Sequence, residues 1–175
     1  DPAIAAKRLI EQRSHDFSLV LLFFSEFDAP VQLGFGFTLN GVGVLLAVDR
    51  TVSSDALMAG IHDGTADALL FPDDLGRVDR GLLETVFPTS GGTVAVGPAF
   101  KLGWGTPLSL LTAKVGVILV LPDPKIVLLG ALRVAVPSPA LPIVDLRASV
   151  HGEVTPERVL VLVSLAGSRL AGFGL

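Results

Sequence analysis

The chain has 175 residues, half of them hydrophobic and only 17% charged, with a net charge of −4 and no cysteine. That length holds one domain with a real core. The acidic balance and the lack of a basic run disfavour phosphate-directed nucleic-acid binding, and absent cysteines exclude disulfides, thiolate chemistry and cysteine metal sites. The charged fraction lies below the ~25% usual for soluble domains. Apolar surface is therefore expected to meet a partner, a lipid or the rest of a longer protein.

Residues 1–16 read as a helical lead-in, with Pro2 in the first turn and Ile4, Leu9 and Ile10 on a loose apolar side. Phe17 to Phe27 reads as a strand, and Asp28-Ala29-Pro30 as a turn. Its longest apolar run, Leu19 to Phe24, is far short of the ~20 residues of a transmembrane helix. Leu33 to Val48 is the stretch around which the chain is organised, because Asn40-Gly41 sits between alternating apolar residues. A type I′ turn needs positive φ at both central positions, so the spacing predicts a hairpin turning at 40 and 41. In that register one face carries Leu33, Phe35, Phe37, Leu39, Val42, Val44, Leu46 and Val48, and is expected to point into the core. The other carries Gly34, Gly36, Thr38, Gly43, Leu45 and Ala47. A row of glycine marks close approach by something else, either a packed helix or sheet or a flat ligand. These six residues are the candidate packing or ligand face.

The period then changes. Ser53 or Ser54 can cap a helix from about Asp55 to Asp63, with Gly64 as its stop. A short helical piece is expected over Thr65 to Leu70, and an amphipathic helix over Leu75 to Phe87, where Val78, Leu82 and Val86 fall four residues apart. From Thr93 onward only strands are predicted: Thr93 to Trp104, Leu108 to Leu121, Lys125 to Val136, Ile143 to Val154 and a last one from Val159. Prolines at 122, 124, 137, 142 and 156 separate them. In Ile143 to Val154 the polar positions Asp145, Arg147, Ser149, His151 and Glu153 alternate with apolar ones, so that face is expected to be wet.

The prediction is thus a mainly β (α+β) fold: an antiparallel hairpin and meander sheet with two or three short helices inserted and packed on one face, probed by Gly36→Val. It forms a single domain over 1–175, comprising the lead-in, a strand and hairpin over 17–50, a helical insert over 51–92 and a meander over 93–175. The chain starts at Asp1 rather than Met, shows no signal-peptide pattern, and ends on strand-like residues. It is expected to be a segment of a larger protein. An outer-membrane barrel is disfavoured, because no tyrosine and one tryptophan cannot build aromatic girdles.

Chemistry is hard to place. Gly34-Phe35-Gly36 has the wrong glycine spacing for a dinucleotide loop, and nothing matches a P-loop or a nucleophile elbow. His15, His62 and His151 lack a second histidine at metal-ligand spacing. His62-Asp63 at a helix end fits dipole complementarity better than catalysis, and His151 is expected to be solvated. Asp73 and Asp74 read as helix caps. Lys101, Lys114 and Arg133 interrupt apolar strands; such a lysine can be catalytic when buried, but more often snorkels from a sheet edge. No catalytic residue, metal site or cofactor is assigned, and an enzyme is not expected.

Leu33-Gly-Phe-Gly-Phe-Thr-Leu-Asn-Gly-Val-Gly43, Gly103-Trp-Gly-Thr-Pro107, Phe71-Pro72, Leu121 to Pro124 and Ser168 to Phe173 together resemble a family of large, uncharacterised bacterial β-rich proteins that share a domain of unknown function. The resemblance covers about Phe17 to Leu175. Val44 and Asp49 depart from the family pattern conservatively. The resemblance implies an inner segment of a long β-rich protein and carries no activity. The expected function is a non-enzymatic structural or interaction module of a larger bacterial assembly, with neighbouring segments or other subunits as partners. The alternative is a curved-sheet groove that binds or transfers a lipid or other hydrophobic ligand.

Overall fold

A computed structural model describes residues 17–63, 80–105, 110–140, 142–165, 167–170 and 173–174. The expected lead-in helix, the helical piece after Thr65, and Asp73 and Asp74 lie outside the described residues. Among the described residues the architecture is a mostly antiparallel β meander with two short helices on one face. In chain order the elements are β1 (Leu19–Gly34), β2 (Phe37–Arg50), α1 (Ser54–Asp63), α2 (Arg80–Val86), β3 (Thr89–Trp104), β4 (Leu111–Leu121), β5 (Lys125–Val136), β6 (Val144–Val154), β7 (Val159–Ser164), β8 (Arg169–Leu170) and β9 (Phe173–Gly174). β1 to β6 pair in sequence order; β7 and β8 then pair with opposite ends of β6, and β9 pairs with β8. From β3 to β6 proline-bearing corners and short turns favour this order, because a strand reversed by a few residues pairs most readily with its predecessor; β2 and β3 pair across the helical insert.

The first hairpin differs from expectation. Asn40-Gly41 is not its turn. The two-residue loop is Phe35-Gly36, with φ of 52° and 80°, and Gly34 paired with Phe37. The physics of the turn is as anticipated, positive φ at both central positions, but it is met five residues earlier. Asn40 instead forms a bulge in β2 between Leu39 and Gly41, where Thr38 Oγ1 donates to Asn40 Oδ1 at 2.7 Å. Asp28-Ala29-Pro30, also expected as a turn, lies within β1 as an irregularity between Glu26 and Val31. The earlier reversal lets β1 run 16 residues against β2, and the added ladder outweighs the local preference of Asn-Gly.

Register and burial together assign the two faces. One face presents Val20, Leu22 and Phe24 of β1, Leu45 and Ala47 of β2, Ala95 and Ala99 of β3, Ile118 and Val120 of β4, and Val127 and Leu129 of β5. Val52, Leu57 of α1, and Val86 and Phe87 at the end of α2 pack on it. Ser53 caps α1 by accepting from the Ala56 amide at 3.3 Å. Within the insert Ser53 N–H donates to Val86 O at 2.9 Å, and the insert is tied to the sheet by Arg50 Nη1 to Phe87 O at 2.7 Å and Lys125 Nζ to Val52 O at 2.6 Å.

The core therefore forms on the side of small residues. The expectation that Phe35, Phe37, Val44 and their neighbours point inward is overturned: Phe37 is 45% and Val44 42% exposed. Small side chains in β2 and β3 let rings approach the sheet closely on this side. Phe24 shows this directly. A Cβ on Gly41 would meet its Cζ at 2.9 Å, and one on Gly43 its Cδ2 at 2.8 Å, so the two glycines are the floor on which that ring lies.

Candidate functional site

Two surfaces carry the unusual chemistry. The first is the uncovered face of the sheet. Its positions follow from the register: Leu19, Leu21 and Phe23 in β1, Val44, Leu46 and Val48 in β2, Val94, Val96, Phe100 and Trp104 in β3, Val115 to Leu121 at alternate positions in β4, Ile126, Leu128 and Leu132 in β5, Leu146, Ala148 and Val150 in β6, and Val159, Val161 and Val163 in β7. Most are substantially exposed, Val159 at 69%. Among the described residues no charged or polar side chain interrupts this face from Val42 of β2 to β7; Ser25 of β1 is its hydroxyl. Six gaps of ~4.8 Å and about ten residues of ~3.3 Å give ~1,000 Å². The largest apolar patch of an ordinary monomer is about 300–600 Å².

The second is the end of the opposite face nearest the Phe35 loop, beyond α1 and α2. Here the polar residues collect. Lys101 and Lys114 stand directly opposite each other on β3 and β4, and Lys101 pairs with Glu26. Neither lysine is on an edge strand, and both are half-buried. Arg133 contacts Asp145 through Nε at 2.9 Å and Nη2 at 3.0 Å, and Arg147 Nη2 reaches the same carboxylate at 3.0 Å. These hydrogen bonds, first Arg133 and then Arg147, hold the Asp145 carboxyl far below the usual range.

The polar side of β6 was expected to be wet. It is instead the covered side: Asp145, His151 and Glu153 are buried. His151 is fully buried, with no hydrogen-bond partner on either nitrogen. Burial pushes its pKa down, opposed by Glu153 and assisted by Lys125, so it is held neutral. Glu153 accepts from Ser54 Oγ at the start of α1 and from Arg158 Nη2 at 2.7 Å, and these bonds lower its pKa. The carboxylate is thus an anchor for the helix rather than an exposed group.

Of the six candidate face residues, Thr38, Leu45 and Ala47 are buried on the helix side, and Gly43 lies under Phe24. Gly34 and Gly36 flank Phe35 at the hairpin reversal and share no surface with the others. His62 and Asp63 fall in the last turn of α1, but their side chains, like His15, lie outside what is described. No group of three or more metal-ligating side chains occurs among the described residues. A cleft of about 540 Å³ at the far sheet end is lined by Thr51, Ser90, Thr93, Asp123, Lys125 and Glu157, among others. Its lysine is already engaged with Val52 O. Among the described residues no helix is long and apolar enough to cross a membrane.

The open face could have been read from the sequence, since every second residue from β2 to β7 is apolar. What pointed the other way was the alternation in β6, where polarity ordinarily marks solvent. No curated protein and no solved structure matches the chain. Residues 3–168 match the family of unknown function DUF6603, so this antiparallel meander, apolar and open on one side, belongs to that family.

Proposed function

We propose that the chain is a non-enzymatic interaction module of a larger protein or assembly, and that the uncovered apolar face is its working surface. The supporting observation is the absence of charged or polar side chains on that face across β2 to β7. Across the five gaps from β2 to β7 the patch is ~800 Å², about what each partner contributes to a standard stable interface. Leaving it in water forgoes on the order of 20 kcal/mol of gross transfer free energy at ~25 cal/mol per Å². Its partner is a neighbouring segment of the parent protein or another subunit. Sedimentation velocity over a range of concentrations tests this. The chain is expected to self-associate or capture an apolar partner, and Val96→Lys with Leu128→Lys to disperse it. A monomer at high concentration, unchanged by those substitutions, refutes the reading.

A second reading gives the same face to the acyl chains of a lipid. It is favoured because protein interfaces carry about one hydrogen bond per 100–200 Å², and this face has almost no side chain that can make one. Native mass spectrometry of the chain purified from cells is expected to show a bound lipid in that case. A lipid-free spectrum removes it.

A further inference from the structure

The open face has relief. Its side chains stand in rows across the sheet, and one row runs from Val42 in β2 through Phe100, Val115, Gly130 and Val150 to Val163 in β7. Phe100 raises a ring in that row, 38% exposed. Gly130 leaves a notch in it. Within 4 Å, a Cβ built there would meet Val150 Cβ at 3.6 Å and Lys114 O at 3.8 Å, which is ordinary contact. Ring and notch flank Val115, one strand away on β3 and one strand away on β5. β4 is also the middle strand of the seven from β1 to β7.

A two-fold axis laid along β4, above the open face, keeps every row in place and exchanges β3 with β5. It sets each Phe100 over Gly130 of the partner subunit, and each Val115 over its own counterpart. Sheets packed face to face lie ~10 Å apart and cross at about 30°. One strand from the axis, that angle displaces a side chain by only ~2 Å, so ring and notch still meet. An axis across the strands instead lays β3 on β3 and brings no ring to the glycine.

We propose that the open face is covered by the same face of a second copy of this chain, in a two-fold sandwich that seats each Phe100 ring on Gly130 of the partner subunit. The proposal rests on the open face being the working surface, and it names the occupant. Area supports it, because two faces of ~800 Å² make the ~1,600 Å² of a standard stable interface. Charge supports it too. An isologous contact sets a patch against itself, and a face without ions meets itself with no like-charge pair and no ion to desolvate. The shortage of hydrogen-bonding side chains fits as well. A sandwich core is closed by interdigitating apolar side chains, and obligate homodimer interfaces resemble a domain core cut in half.

Sedimentation velocity on the whole chain reads the dimer, and Gly130→Val reads the notch. The substitution keeps the face apolar and suits a strand, so a lipid or an unmatched apolar protein would still bind. It is expected to keep the melting temperature of the dilute chain and to weaken dimerisation at least about tenfold, because the filled notch meets a ring twice in each dimer. The chain has no cysteine, so a single introduced one reports the geometry. Val115→Cys on β4 is expected to cross-link to itself through a short bismaleimide. Val159→Cys on β7, three strands from the axis and so ~30 Å from its counterpart, is not. A wild-type chain that stays monomeric overturns the proposal; a lipid found on that monomer by native mass spectrometry would keep the face as the working surface with another occupant. A dimer dispersed by Val96→Lys but indifferent to Gly130→Val overturns it and leaves the face as the interface. So does a dimer in which Val159→Cys cross-links to itself. If Gly130→Val fails to fold, the cross-linking pattern decides.

Discussion

Gly43 and His151 show how single positions carry the fold. Gly43 is the floor under the Phe24 ring, and a Cβ there would also meet Phe23 O at 2.8 Å. Gly43→Val is therefore expected to destabilise by about 1–3 kcal/mol through overpacking, read as a lower melting temperature. Gly36→Val is also expected to destabilise, but for another reason: φ of 80° excludes a β-branched residue, with no packed element above it beyond the Trp104 indole. His151 gives a pH dependence. Its folded pKa lies below the ordinary 6.5, so as pH falls through 6.5 the unfolded chain takes up a proton that the folded chain does not. Stability is full above that value and is lost progressively as pH falls towards the folded pKa. Asp145 and Glu153, both lowered, add acid destabilisation only below the carboxylate range. His151→Leu is expected to flatten the melting temperature between about pH 5 and 7, and to raise it at neutral pH, because it removes two unpartnered buried nitrogens. An unchanged slope would assign that pH range to another group.

At the scale of elements, α1 is held by both apolar and polar contacts. Leu57 is buried in the core cluster, and Ser54 donates to Glu153 of β6. Leu57→Ala is expected to cost about 2–5 kcal/mol, measured by denaturant titration. The helix and its Ser53 cap were legible in the sequence, because capping and the apolar period are local signals. The meander strands were legible for the same reason: Lys125–Val136 starts and stops where its flanking prolines require. The first hairpin was not. Asn40-Gly41 has the better local turn chemistry, yet a reversal at Phe35-Gly36 pairs more of β1 with β2, and ladder length is a property of two strands rather than of four residues.

For the whole molecule, the decisive feature is that polarity is distributed against the usual rule. Buried His151 and Glu153 and the arginine-bound Asp145 lie on the helix side, and the apolar residues of six successive strands lie outside. Lysines placed on that outer face by Val96→Lys and Leu128→Lys are expected to leave the melting temperature within about 0.5 kcal/mol of equivalent stability while lowering the apparent mass at high concentration. A loss of folding would mean that the face is internal to this chain's own core.

The order of the strands, the bounds of β4 to β6 within a few residues and their alternation were set by the chain itself, since proline corners and the two-residue period act over a few neighbours. Which side of the sheet would be covered was decided only in three dimensions. Alternation says that the two faces differ, but not which of them the helices will choose. That choice went to the face of glycine and alanine because a helix and the Phe24 ring need room to approach, and it left the bulky face, with its Phe35 tip, turned outward.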